Sequence, residues 1–166
     1  MWLIDGGYQV TVSEGGYEFS FTTSLGLQYN VYFLPAKEDY FSDYPEMPEN
    51  IYLFGFSQLN GTENQRVFDE NIAKTICGIL IEFFSNHENV IVFICDSTDK
   101  RERQRNITFN KWFHHFDTDS LFEKIDKVLE YDSLNRYYLS LIYRKDNPNR
   151  GLYLKAFQNM TSDLEK

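Results

Sequence analysis

The chain has 166 residues, 42% hydrophobic and 17% aromatic, a size and apolar content that fit one domain over 1–166 and exclude a disordered chain. Its net charge of −9 is uneven, with 3 Lys/Arg against 15 Asp/Glu in residues 1–99 and 13 against 10 in residues 100–166. An acidic half repels a phosphate backbone, so nucleic-acid binding is disfavoured, and an intramolecular match between the halves, or a basic partner, is favoured.

Residues 8–13, 17–22 and 27–34 alternate apolar and polar side chains and are joined by short glycine-containing connections, which predicts an antiparallel meander. Tyr17, Phe19 and Phe21 share one strand face, and Tyr29, Val31 and Phe33 continue it. Residues 35–50, PAKEDYFSDYPEMPEN, hold three prolines and no periodicity and read as a long acidic loop. Residues 51–59 are apolar on both faces, as a central strand is. Thr62 and Gln65 have capping-box spacing, and Phe68, Ile72, Ile76, Leu80 and Phe83 recur at helical intervals, predicting a helix that runs to about Asn86.

The run VIVFIC at 90–95 is a short interior strand. Asp99 and Glu102 are spaced to cap the helix after it, in which Phe109, Trp112, Phe113 and Phe116 form one apolar stripe up to Phe116. Residues 120–131 fit a helix through Leu121, Phe122, Ile125, Val128 and Leu129, with an edge strand as the competing pattern. Residues 137–143 and 152–157 read as a hairpin closed across Asn147-Pro148-Asn149. The fold class is therefore α+β: a mainly antiparallel sheet with an N-terminal meander, a C-terminal hairpin, one buried central strand, and two or three helices packed on it.

The segment Cys95-Asp96-Ser97-x-Asp99-x-Arg101, continuing to Arg105, Phe109 and Trp112-Phe113, joins Tyr29-x-Val31-Tyr32-Phe33 and Arg144-Lys145-Asp146-Asn147-Pro148 as a motif set. This set resembles a family of small bacterial proteins known only as a domain of unknown function. The resemblance implies a bacterial cytoplasmic protein and carries no chemistry.

The acid at the end of the 90–95 strand stands where open α/β sheets place ligands. Asp96, Asp99 and Glu102 could gather at a hard cation, but short-range acids are also what N-capping needs, so no metal site is assigned. Arg101 and Arg105 lie at i and i+4 beside the apolar stripe, and a half-buried arginine needs a carboxylate or phosphate. Asp96 with these two arginines, Ser97 and Asp99 is either an internal brace, the favoured reading, or an anion site with Asp96 as the candidate catalytic acid or base. His114 and His115 suit a helix C-terminus and His87 reads the same way. Walker, dinucleotide, nucleophile-elbow and Cys/His patterns are missing from the sequence, so no cofactor is expected and a non-enzymatic role is favoured.

In the acidic loop, Tyr40, Phe41, Tyr44 and Asp43 make a candidate partner-binding surface, since aromatic residues favour interface centres. Its alternative is a loop whose rings fold onto the sheet. The longest apolar runs are about six residues, against the roughly 20 that cross a bilayer, so no membrane association is expected. The start MWLIDGG has no charged leader, arguing against a signal peptide. Cys77 and Cys95 sit in apolar runs as reduced thiols do, and the expected location is the cytoplasm. Nothing in the pattern specifies an oligomeric state. The leading expectation is a protein-interaction or regulatory domain, and the alternative is an enzyme or binding protein for a phosphate-bearing or other anionic small molecule.

Overall fold

The computed structural model describes residues 2–3, 5–61, 69–95, 102–117, 119–130, 133–134 and 136–160. The elements in chain order are β1 (Trp2–Leu3), β2 (Gln9–Val12), β3 (Glu18–Thr22), β4 (Gln28–Pro35), α1 (Lys37–Tyr40), β5 (Ile51–Gln58), α2 (Glu70–Phe83), β6 (Val90–Cys95), α3 (Glu102–Phe116), β7 (Phe122–Glu130), β8 (Arg136–Arg144) and α4 (Arg150–Asn159). The fold is α+β, as the sequence predicts, with four helices among the described residues instead of two or three. One eight-stranded sheet has the order β1-β2-β3-β4-β5-β6-β8-β7. Every neighbouring pair is antiparallel except β5 and β6, which are parallel and joined by the crossover helix α2. After β6 the chain passes through α3 to the far edge as β7, then returns as β8 into the space between them.

Strand alternation sends side chains to two separate cores. On one face Val31, Phe33, Phe54, Ile91 and Phe93 meet Ile72, Ile76, Ile79, Leu80 and Phe83 of α2 and Phe109 of α3. The stripe of α3 is as expected, with Phe109 1% exposed and Trp112, Phe113 and Phe116 packed against that core. On the other face Ile51, Val90, Val92, Leu139, Leu141 and Tyr143 meet Tyr153, Ala156, Phe157 and Met160 of α4 and its end, with Phe41 and Met47 from the 36–50 segment.

Three element assignments are corrected. Residues 122–130 are a strand, because nine consecutive pairs with β8 satisfy their backbone. The apolar residues that suggested a helix divide between two faces: Phe122 enters the first core, Ile125 and Leu129 pack on the second, and Val128 stays exposed. Residues 152–157 belong to helix α4, so the C-terminal hairpin is β7 with β8. The buried residues Tyr153, Ala156, Phe157 and Met160 fall at i, i+3, i+4 and i+7, a helical period that short alternation conceals. Helix α2 starts at Glu70 with Asp69 as its cap and ends at Phe83, not at Asn86; Asp69 accepts from the Asn71 amide at 2.9 Å and from the Tyr8 hydroxyl at 2.5 Å. The capping box expected at Thr62 and Gln65 lies outside the described residues.

Candidate functional site: a fork between parallel strands

Among the described residues, strands β5 and β6 pair from Ile51↔Val90 to Phe54↔Phe93 and no further. Beyond that rung each keeps its outer neighbour: β5 stays with β4 as far as Gln58↔Tyr29, and β6 stays with β8 as far as Cys95↔Tyr138. The sheet therefore opens in its middle, at the carboxyl ends of its two parallel strands.

Backbone polar groups of a strand point alternately to its two neighbours. The Asn50 carbonyl accepts from the Val90 amide at 2.8 Å, whereas the Ile51 carbonyl accepts from the Ala36 amide at 3.0 Å, so even-numbered residues of β5 face β6. The first even residue past the last rung is Phe56. Its N–H and the Ile94 C=O, which one more rung would join, face the fork, and an amide left unpaired inside a fold calls for a partner. The four residues of β5 along the opening, 55–58, span roughly 13 Å at ~3.3 Å per residue.

A cleft of about 380 Å³ occupies this fork. Leu53, Phe54, Gly55 and Phe56 of β5 and Phe93 and Ile94 of β6 line it, with Tyr32 from β4, Tyr40 from α1 and Arg105 from α3. On the helix side the Phe56 and Phe93 rings stack at 6.2 Å and Phe56 meets Trp112 at 5.3 Å, filling that flank with hydrocarbon. On the other side Gly55 offers no side chain, and the Tyr32 ring lies across it from the paired position on β4. Burial first, and then the Asp39 carboxylate, push the Tyr40 hydroxyl above the usual tyrosine value. Helix α3 follows β6 and brings half-buried Arg105 to the cleft, whereas the start of α2, capped by Asp69, lies against Tyr8 ahead of β2.

Of the residues singled out by sequence, Arg105 and Tyr40 come together in this cleft. Asp96, Ser97, Asp99 and Arg101 lie outside the described residues. Phe41 is corrected as a surface residue: it is 1% exposed and packs with Met47 beneath the sheet. Tyr44 is half-buried on the same core and its hydroxyl accepts from the Asn159 amide at 3.1 Å, which leaves Asp43 as the exposed member of that set. The rings of the acidic loop fold largely inward, onto the second core beside the start of β5.

The Arg144-to-Pro148 motif is structural. Arg144 forks onto Asp146 at 2.9 and 3.0 Å, Asp146 meets His87 at 3.0 Å, and fully buried Asn147 donates to the Glu88 carbonyl at 3.1 Å and accepts from the Asn149 amide at 2.8 Å. The Arg144 hydrogen bond chiefly holds the Asp146 carboxyl below its ordinary range. His114 and His115 are exposed in the last turn of α3. Cys77 and Cys95 are free thiols, and burial pushes the Cys77 thiol up to about 12, far from a reactive thiolate. Among the described residues no cluster of His, Cys, Asp and Glu could hold a metal ion, and no helix is long and apolar enough to cross a membrane.

Sequence reasoning passed over Gly55 and named Tyr32 only within the motif set, without a role. The available signal was a glycine inside an otherwise unbroken apolar strand, which marks close approach of another group to the backbone. None of the curated proteins matches this chain. Residues 68–159, from the start of α2 to the end of α4, match the sequence model of a family described as being of unknown function (DUF6169).

Proposed function

We propose that this chain, which belongs to that family of unknown function, binds the pantetheine arm of a coenzyme A thioester between β5 and β6 and transfers its acyl group. The observation that carries the reading is the fork: two parallel strands that stop pairing after Phe54 and Phe93 while each remains in the sheet. A ligand entering there must be a thin chain with its own amide donors and acceptors, because it replaces a neighbouring strand on both sides. A stretch of roughly 13 Å at strand rise suits an unbranched arm with two amides better than a peptide strand. An anionic end fits as well, since Arg105 of α3 lines the cleft. Pantetheine phosphate meets both demands, and among group carriers it delivers acyl groups as thioesters.

In the reaction, an acceptor amine or hydroxyl attacks the thioester carbonyl carbon. The new C–N or C–O bond replaces the C–S bond, and the acceptor's proton passes to the leaving thiolate. The Phe56 N–H is a fixed donor for the carbonyl oxygen as negative charge develops on it. Tyr40, protonated at neutral pH, is the candidate donor to the thiolate. This reading takes up the anionic-ligand alternative. The partner-surface reading has less support, because Phe41 is buried and Tyr44 packs on the core.

Calorimetric titration and thermal shift with coenzyme A, acetyl-coenzyme A, pantetheine and inorganic phosphate test it. Coenzyme A is expected to raise the melting temperature. Arg105→Ala is expected to weaken coenzyme A about tenfold, roughly 1.4 kcal/mol, while leaving pantetheine unchanged. Failure of both coenzyme A and acetyl-coenzyme A to bind at millimolar concentration would overturn the proposal.

A further inference from the structure

Tyr32 and Gly55 are directly opposed across β4 and β5, and both line the cleft. A methyl group placed on Gly55 would lie 2.7 Å from Tyr32 Cε2 and closer still to its Cζ and Oη, so the hydroxyl end of the ring lies over the bare backbone of β5. That backbone is the rung just below Phe56, where the reactive carbonyl is placed by the reading above. Neighbouring aromatic residues of the first core are locked by stacking, as Phe33 is on Phe83 at 3.8 Å and Phe56 on Phe93. Tyr32 has neither anchor: among the described residues its ring stacks on no other and its hydroxyl forms no hydrogen bond. It is half-buried and sits on the face away from α2 and α3. In that position the ring fills the space past the carbonyl.

We infer that Tyr32 is the specificity-determining residue of the cleft: lying over Gly55, it closes the acyl end and restricts the thioester to short acyl groups. The inference rests on the coenzyme A reading. Gly55 is the complement of the device, since only a residue without Cβ lets the ring lie this close to the strand.

The experiment measures binding of coenzyme A, acetyl-, butyryl- and octanoyl-coenzyme A by titration calorimetry to the wild type, Tyr32→Ala and Tyr32→Phe. For the wild type, octanoyl-coenzyme A is expected to bind at least about tenfold more weakly than acetyl-coenzyme A. Tyr32→Ala is expected to erase that difference, and Tyr32→Phe, which keeps the ring, to retain it. A wild type that accepts octanoyl- as tightly as acetyl-coenzyme A overturns the inference and leaves the coenzyme A reading standing, as does an unchanged chain-length profile in a folded Tyr32→Ala. Absence of coenzyme A binding to the wild type removes both. Circular dichroism of each variant separates loss of selectivity from loss of fold.

Discussion

Single residues in this protein divide sharply between those whose polar groups are matched and those whose are not. Asn147 is fully buried and satisfied through the Glu88 carbonyl and the Asn149 amide, and Lys127 crosses to the end of α4 to donate to the carbonyls of Phe157, Gln158 and Met160. Burial lowers the Lys127 pKa, so the bonds to those carbonyls are made by an ammonium that has given up part of its hydration. Tyr153 is the opposite case: it is 0% exposed and its hydroxyl has no hydrogen-bond partner. A buried hydroxyl without a partner costs about 1 to 3 kcal/mol of desolvation, and removing it is nearly free. Tyr153→Phe is therefore expected to leave stability unchanged or to raise it by up to about 1 kcal/mol, measured as the urea midpoint at constant slope. A loss above about 1 kcal/mol would show that the hydroxyl is in use. Gly55 and Tyr32 belong at this scale too, and a sequence shows each only as an ordinary strand residue until the register places one over the other.

At the scale of elements, legibility followed the range of the interactions that decide each one. The strands at β3, β4, β5 and β6 and helix α3 were readable because their apolar periods are long or their composition unambiguous. Segments β7 and α4 were not. The period of β7 is ambiguous in isolation, and its strand state is fixed by nine rungs to a partner further along the chain. In α4 the decisive residues, Tyr153, Ala156, Phe157 and Met160, become a stripe only once a sheet face exists to bury them. The parallel pairing of β5 with β6, and hence the fork, is equally tertiary. It has a direct signature: among the described residues, the Phe56 amide lies in a strand past the last β5–β6 rung, which is at Phe54. Hydrogen exchange is expected to run at least about tenfold faster at Phe56 than at Phe54, and to slow at Phe56 when coenzyme A is bound. Equal protection in the free protein would mean that the strands close.

For the whole molecule, the family match begins at residue 68 and so leaves β1–β5 outside it, although residues before 68 line both cores. Phe33 and Phe54 face α2 on one side, and Phe41, Met47 and Ile51 face β6 and α4 on the other. A fragment of 68–166 would expose Val90, Val92 and the buried side of α2 together. It is expected to show no cooperative thermal transition by circular dichroism, and a sharp one would place an independent folding unit there. The charge division of the sequence follows the same boundary only loosely, since the acidic half reaches past β6. The short run of rungs between β5 and β6 has a mechanical meaning of its own. The sheet is two panels, β1–β5 and β6–β8, seamed by four residue pairs and backed by helices, and the seam is left unsewn at one end. Whatever lies in that opening becomes a stitch shared by both panels, so its occupancy stiffens the joint and raises the load at which the panels would be pulled apart.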